Sequence, residues 1–289
     1  MLERIDICWR VLATGVCFAL FGLGALALGL LVFPAVLLVV RDEARRRRAI
    51  RSLIQRSFRL FVGIMLAVGG FTLEIVGRER LGRPGQLIIA NHPTLIDVVM
   101  IIALSPTGCV VKEALFRNPY LRRVVQAAGY IGNAATSAMI DRAAEALHSG
   151  DTLLMFPEGT RTRPGEPMHF HRGAASVAVQ SAVVLTPVYI TTVPEFLPKS
   201  RPWYRVPRHR PHITLRVGDD IRLEEYRGLQ PPKASRMLNE ALLAHYEAMV
   251  GRAGRYNETS RQQGPRTQLA AADSPEKKID PGVAVNVDQ

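Results

Sequence analysis

The chain has 289 residues, of which 48% are hydrophobic and 21% charged, which suffices for a buried core and excludes a chain disordered throughout. Its formal net charge of +12 points to anionic partners. The three cysteines, Cys8, Cys17 and Cys109, form no CxxC pair, which speaks against a disulfide framework and against a zinc site.

Val11 to Val40 runs thirty residues without a charge. A bilayer span needs roughly 20 apolar residues, and the apolar part of a signal peptide is only about 7–15 long, so this run predicts a membrane segment. It is long enough for one tilted span or for a tight hairpin, with Gly22, Gly24, Gly29 and Pro34 as bending points. Arg41, Arg45, Arg46, Arg47 and Arg48 follow at once, then Arg51, Arg56 and Arg59. Such a flank predicts the cytoplasmic side of the inner membrane and attraction to anionic headgroups. A nucleic-acid partner is disfavoured, because the densest arginines abut the apolar run. Ile50, Ile54, Phe58, Phe61, Met65 and Val68 recur at helical spacing, with Arg51, Gln55 and Arg59 elsewhere on the wheel. This predicts an amphipathic helix over 44–69 lying at the membrane surface. Residues 1–70 are thus read as N-terminal membrane-associated helices.

From Phe71 the pattern alternates short apolar strands with helical stretches. Predicted strands are Leu73–Val76, Leu87–Ala90, Cys109–Val111, Thr152–Phe156, Val183–Ile190 and His212–Val217. Predicted helices are Ile96–Leu104, Tyr120–Ala128, Ser137–Ser149, Gly173–Gln180 and Lys233–Val250. Alternation of this kind gives an α/β domain over 71–250, a mostly parallel sheet flanked by helices. Residues 251–289 turn polar without periodicity and are read as a disordered tail.

Two strand ends carry the chemistry. Asn91-His92-Pro93-Thr94-Leu95-Ile96-Asp97 follows the strand LIIA and precedes a helix. Histidine is the usual general base near neutral pH, and a carboxylate on its other ring nitrogen fixes the tautomer. Asp97, in the first helical turn, is placed to do this; Thr94-x-x-Asp97 also reads as a helix-capping box. The second strand end is Phe156-Pro157-Glu158-Gly159-Thr160-Arg161. Gly159 permits a tight backbone path, and Arg161 suits phosphate or carboxylate.

Together these blocks resemble the glycerolipid acyltransferase family of the lysophosphatidic acid acyltransferase type. NHPTLID matches its NHxxxxD block and FPEGTR its acceptor-binding block. Leu185-Thr186-Pro187-Val188, Phe170-His171-Arg172-Gly173-Ala174 and Lys112-Glu113 also fit. The resemblance implies a glycerol-3-phosphate acyltransferase-like fold with His92 as base and Asp97 orienting it. It implies that Asn91, Glu158, Gly159, Thr160 and Arg161 bind substrate, with Lys112 and Arg172 touching donor or headgroup. The implied donor is acyl-CoA or acyl carrier protein, and the implied acceptor is a lysolipid hydroxyl at a membrane. No metal or other cofactor is implied, nor an acyl-enzyme, and the chain has no G-x-S-x-G nucleophile elbow.

Two stretches depart from the family. Gly129-Tyr130-Ile131-Gly132-Asn133-Ala134-Ala135 lacks the arginine expected to hold an acceptor phosphate, with Arg142 the nearest substitute. Pro198 to Pro211 is a proline-punctuated basic loop containing Trp203 and Tyr204, suited to CoA phosphates, an acidic carrier or the membrane. This loop also resembles acyltransferases of aryl-polyene pigment clusters, which implies transfer of a carrier-bound acyl or aryl-polyene group to a lipid. From a different class, an inactive membrane-anchored lipid-binding protein is opposed by intact His92, Asp97 and Glu158.

Overall fold

The apolar N-terminal run forms one rod and not a hairpin. Helix α1 (Leu2–Ala27) passes through a π-helical turn (Leu28–Val32) into α2 (Phe33–Val39). Pro34 has no N–H, and its ring crowds the preceding helical turn. The wide turn, in which the Phe33 N–H reaches the Leu28 carbonyl, accommodates it without breaking the helix. Glu3–Val39 is a 37-residue helix long and apolar enough to cross a membrane. Leu12, Leu23, Leu31 and Leu38 on this rod are uncovered. The structure is a computed structural model and describes residues 2–262 other than 120, 134, 135 and 164; the stretch 263–289 of the expected tail lies outside the described residues, as do Tyr120, Ala134 and Ala135.

Polar contacts fix α1 to the rest of the chain. Arg10 is buried and donates to the carbonyls of Pro207 (2.8 Å), Arg208 (2.6 Å) and His209 (3.4 Å). The Trp9 indole donates to the Val68 carbonyl at 3.0 Å. Trp203 lies edge-on to Phe18, with ring centroids 6.1 Å apart. It also covers Gly15, where a Cβ would come within 3.0 Å of the indole. Much of the basic loop therefore seats the rod.

Helix α3 (Glu43–Ala67) begins at Asp42, whose carboxylate accepts the Arg45 N–H at 2.7 Å. Its stripe of Ile50, Ile54, Phe61 and Met65 is buried in the same core as α4 (Asp97–Leu104), so the face expected at a membrane surface is covered by protein. Arg51, placed by the helical wheel on the polar side, is only 4% exposed. Its guanidinium pairs with Asp151 at 2.9 Å and donates to the Ala128 carbonyl at 2.9 Å. A long polar side chain can enter a core when each charged nitrogen finds a partner there.

Seven strands form one sheet: β1 (Thr72–Val76), β2 (Gln86–Ala90), β3 (Gly108–Val111), β4 (Ile131–Gly132), β5 (Leu153–Met155), β6 (Val184–Val193) and β7 (His212–Val217). Their order is β1-β7-β6-β2-β5-β3-β4, parallel throughout except where β6 meets β7. Between the strands lie α5 (Ala114–Arg117), α6 (Arg122–Ala127), α7 (Thr136–His148) and α8 (Gly173–Ser181); α9 (Glu224–Arg227) and α10 (Pro231–Gln262) follow. The sheet has a core on each face. Ile88 and Ala90 of β2 enter the one shared with α3, α4 and α6, while Leu87 and Ile89 enter the one shared with α7, α8 and α10. That alternation is the period-2 pattern of a strand covered on both faces. The sequence reading lacks β4, α5 and α9, all too short to show periodicity. Helix α10 continues to Gln262, past residue 251, at which the sequence predicts a disordered tail to begin.

Removing one partner of a buried ion pair costs about 3–5 kcal/mol. Asp151 keeps 23% exposure, so the low end applies. Arg51→Ala should lose about 3 kcal/mol and lower the thermal midpoint by roughly 6–12 °C. An unchanged midpoint in detergent would show that the pair does not hold α3 to the sheet.

Candidate active site

Parallel pairing brings the two motif loops together. Strands β2 and β5 are neighbours in register, Leu87 with Leu153 and Ile89 with Met155. Their carboxyl ends therefore release the His92 and Glu158 loops side by side, with Lys112 leaving β3 next door. Open parallel sheets form their ligand crevice at this edge. Asn91 spends its amide group on the fold: it donates to the Ile190 carbonyl at 2.8 Å and accepts the Ile190 N–H at 2.7 Å. It thus prolongs the β2–β6 pairing past the last ladder residue. Tyr246 of α10 braces the same strands, donating to the Ile89 carbonyl (2.5 Å) and accepting the Val188 N–H (3.2 Å).

His92 and Asp97 meet. Nδ1 of His92 lies 2.8 Å from Asp97 Oδ2, with the carboxylate fully buried and the imidazole 17% exposed. The same Oδ2 accepts the Thr94 N–H at 2.7 Å, and Oδ1 accepts the Thr94 hydroxyl at 2.5 Å. Asp97 therefore serves both readings of the sequence: it closes the turn entering α4 and holds the histidine. With Nδ1 committed to Asp97, Nε2 is the nitrogen left for a proton from a ligand. Phe156 packs against the imidazole, with ring centroids 4.5 Å apart and planes tilted by 35°.

The Glu158 side chain bonds the backbone of His92. Its Oε1 accepts the His92 backbone N–H at 2.8 Å, tying the two loops together. Oε2 is buried without a hydrogen-bond partner among the described residues. Burial pushes the Glu158 carboxyl up to about 7, although the His92 N–H pulls it down. Glu158 borders, with Asn91, a cleft of about 310 Å³, whereas His92, Gly159, Thr160 and Arg161 line a larger one of about 770 Å³. Gly159 has φ +63°, and a Cβ there would approach His171 to 3.1 Å, so both the turn and the ring require glycine.

Arg161 donates to the Leu197 carbonyl at 3.0 Å, and the same oxygen accepts the Leu95 N–H at 3.2 Å. Partial burial lowers the Arg161 guanidinium's pKa, while the Asp97 carboxylate raises it; it remains a cation. Lys112 and Arg172 line the large cleft, together with His171 and with Lys199 from the basic loop. Lys199 was visible only as one charge in a basic segment. Leu197, at φ +49°, gave no sequence signal at all. Arg142 borders a different cavity, so it does not replace the absent arginine here. Burial pushes the Cys109 thiol up to about 12, which removes it as a nucleophile.

The His92–Asp97 pair lies at the carboxyl ends of a mostly parallel sheet and opens on a cleft lined by basic residues. The Acyltransferase family model matches residues 72–191, which include both motif loops. A 1-acyl-sn-glycerol-3-phosphate acyltransferase of Limnanthes douglasii is 29% identical over 61% of this chain and 62% of its own. A lyso-ornithine lipid O-acyltransferase of Pseudomonas aeruginosa is 29% identical over 60% of this chain and 66% of its own. The chain thus spans less than two thirds of either relative. In fold it resembles the 1-acyl-sn-glycerophosphate acyltransferase of Thermotoga maritima, with a TM-score of 0.63 and 19% identity over 89% of this chain and 98% of the other. Over the α/β domain the chain is thus similar to acyltransferases of glycerolipids and of an ornithine lipid.

A carboxyl whose pKa is raised by folding favours the folded state below its free pKa, and that contribution is lost as pH climbs to the folded value. For Glu158 this window runs from the ordinary 4.5 to about 7. Wild type should lose on the order of 5 °C of thermal midpoint relative to Glu158→Gln between those limits. Parallel curves for the two proteins would contradict the burial of the charge.

Proposed function

We propose that the chain is a membrane-bound O-acyltransferase that moves an acyl group from a thioester donor to a hydroxyl of a lysolipid. The observation that carries this reading is the 2.8 Å contact between His92 Nδ1 and the buried Asp97 carboxylate, with the imidazole bordering the basic cleft. The acceptor hydroxyl gives its proton to Nε2 of His92 as its oxygen attacks the thioester carbonyl. Asp97 stabilises the imidazolium that forms. The carbon–sulfur bond of the tetrahedral intermediate then breaks, and the proton held by His92 passes to the leaving thiolate. The products are an ester and a free thiol.

The donor is acyl-CoA or acyl carrier protein, either of which brings phosphate to a cleft lined by Lys112, Arg161, Arg172 and Lys199. The relatives' names carry a glycerol-phosphate acceptor in one case and an ornithine lipid in the other. The missing arginine after Ile131 favours an acceptor that does not depend on a phosphate at that position. The exposed apolar rod Glu3–Val39 and the arginines after it support an inner-membrane location with the cleft on the cytoplasmic side.

Steady-state kinetics with a lysolipid panel test the assignments. Loss of a general base costs about 10²–10⁴-fold, so His92→Ala should lower kcat by at least 100-fold with the fold retained. Arg161→Ala should raise the acceptor KM about tenfold with smaller effect on the donor. Near-normal turnover in the first variant, or unchanged acceptor kinetics in the second, would remove that residue from its role.

A further inference from the structure

A second cavity, of about 690 Å³, lies between the membrane rod and the α/β domain and shares no lining residue with the His92 cleft. Four elements meet there. Helix α2 supplies Phe33 and Leu37, α3 supplies Arg46 and Arg47, α6 supplies Arg123, and α7 supplies Arg142. Leu37 is itself exposed, as are Leu31 and Leu38 on the same rod. The opposite side is cationic. Among the described residues, none of these four arginines makes an ion pair, whereas Arg51 at the same cavity is neutralised by Asp151. Glu43 and Glu145 also border the cavity, leaving two acids against four unpaired arginines.

The cavity is shaped around one of these cations. The stem of Arg47 lies on Gly129, at φ +64°, where a Cβ would come within 2.6 Å of Arg47 Cδ. A side chain at residue 129 would displace that arginine. Unpaired guanidiniums lining one cavity repel one another, and a shared anion relieves the repulsion through charge-assisted hydrogen bonds. Basic pockets beside a membrane helix on the cytoplasmic side suit anionic lipid headgroups.

We infer that this cavity is a binding site for an anionic phospholipid of the surrounding bilayer, distinct from the catalytic cleft. The phosphate sits among Arg46, Arg47, Arg123 and Arg142, and the acyl chains run along Phe33 and Leu37 towards the exposed face of the rod. The tail contact distinguishes this occupant from free phosphate, and the arginines distinguish it from a zwitterionic lipid.

The test uses the full chain in a non-ionic detergent, titrated with dihexanoyl-phosphatidylglycerol, its phosphatidylcholine counterpart and inorganic phosphate, with binding read by calorimetry. The anionic lipid should bind at least about tenfold tighter than either comparator. R123Q/R142Q should weaken it at least about tenfold, while R161Q in the catalytic cleft leaves it unchanged. Thermal unfolding checks the fold of the double variant; if it is unfolded, R142Q alone should still weaken the anionic lipid by about threefold or more. Equal affinity for the choline lipid or for inorganic phosphate overturns the inference. So does loss of binding in R161Q with none in the arginine variants, which would locate the lipid in the catalytic cleft.

Discussion

The pairing of β2 with β5 is the constraint on which the site depends. Leu87, Ile88 and Ile89 lie in register with Leu153, Leu154 and Met155, and all six are buried. Two segments some sixty residues apart are thereby released at the same sheet edge. The Glu158 carboxylate then joins one loop to the other through the His92 N–H, and Leu197 O ties both loops to the segment after β6. His92 is held from several sides before any ligand arrives. In the proposed reaction, such preorganisation lets a single imidazole act as a base without reorganising its surroundings.

Most strands of the α/β domain were legible because both faces of the sheet are covered. A doubly buried parallel strand reads as an unbroken apolar run, and LIIA and LLM do so. Strand β4 has two residues, too few for any pattern to register. His92 and Asp97 were legible as a pair through their spacing. Asn91 was not: nothing in its position distinguishes a side chain that bonds a neighbouring strand from one that faces a ligand. Glu158 shares this ambiguity, since sequence adjacency to Gly159 does not reveal that the two border different clefts. Lys199 reaches the site through a fold-back that begins more than thirty residues after FPEGTR, and only tertiary structure shows it.

The N-terminal region was legible in composition and not in packing. Periodicity identified the apolar stripe of α3 but not what covers it, and helix α4 takes that place. Arg51 looked like a solvated position because the wheel records charge and not partners. Arg10 carries the same lesson: a cation at the start of an apolar run is buried by three backbone carbonyls of a loop nearly two hundred residues later. The rod is therefore joined to the catalytic domain by directed polar contacts, so its orientation and the direction of the cleft are mechanically linked.

Direct transfer through the His92–Asp97 pair is the central claim, and it forbids a covalent acyl-enzyme. Intact-protein mass spectrometry of the full chain with thioester donor, with and without lysolipid acceptor, tests it most directly. The account requires an unmodified protein mass in both cases, with acylated lipid formed only when the acceptor is present. A protein species heavier by one acyl group, formed with donor alone and discharged on adding acceptor, would contradict it.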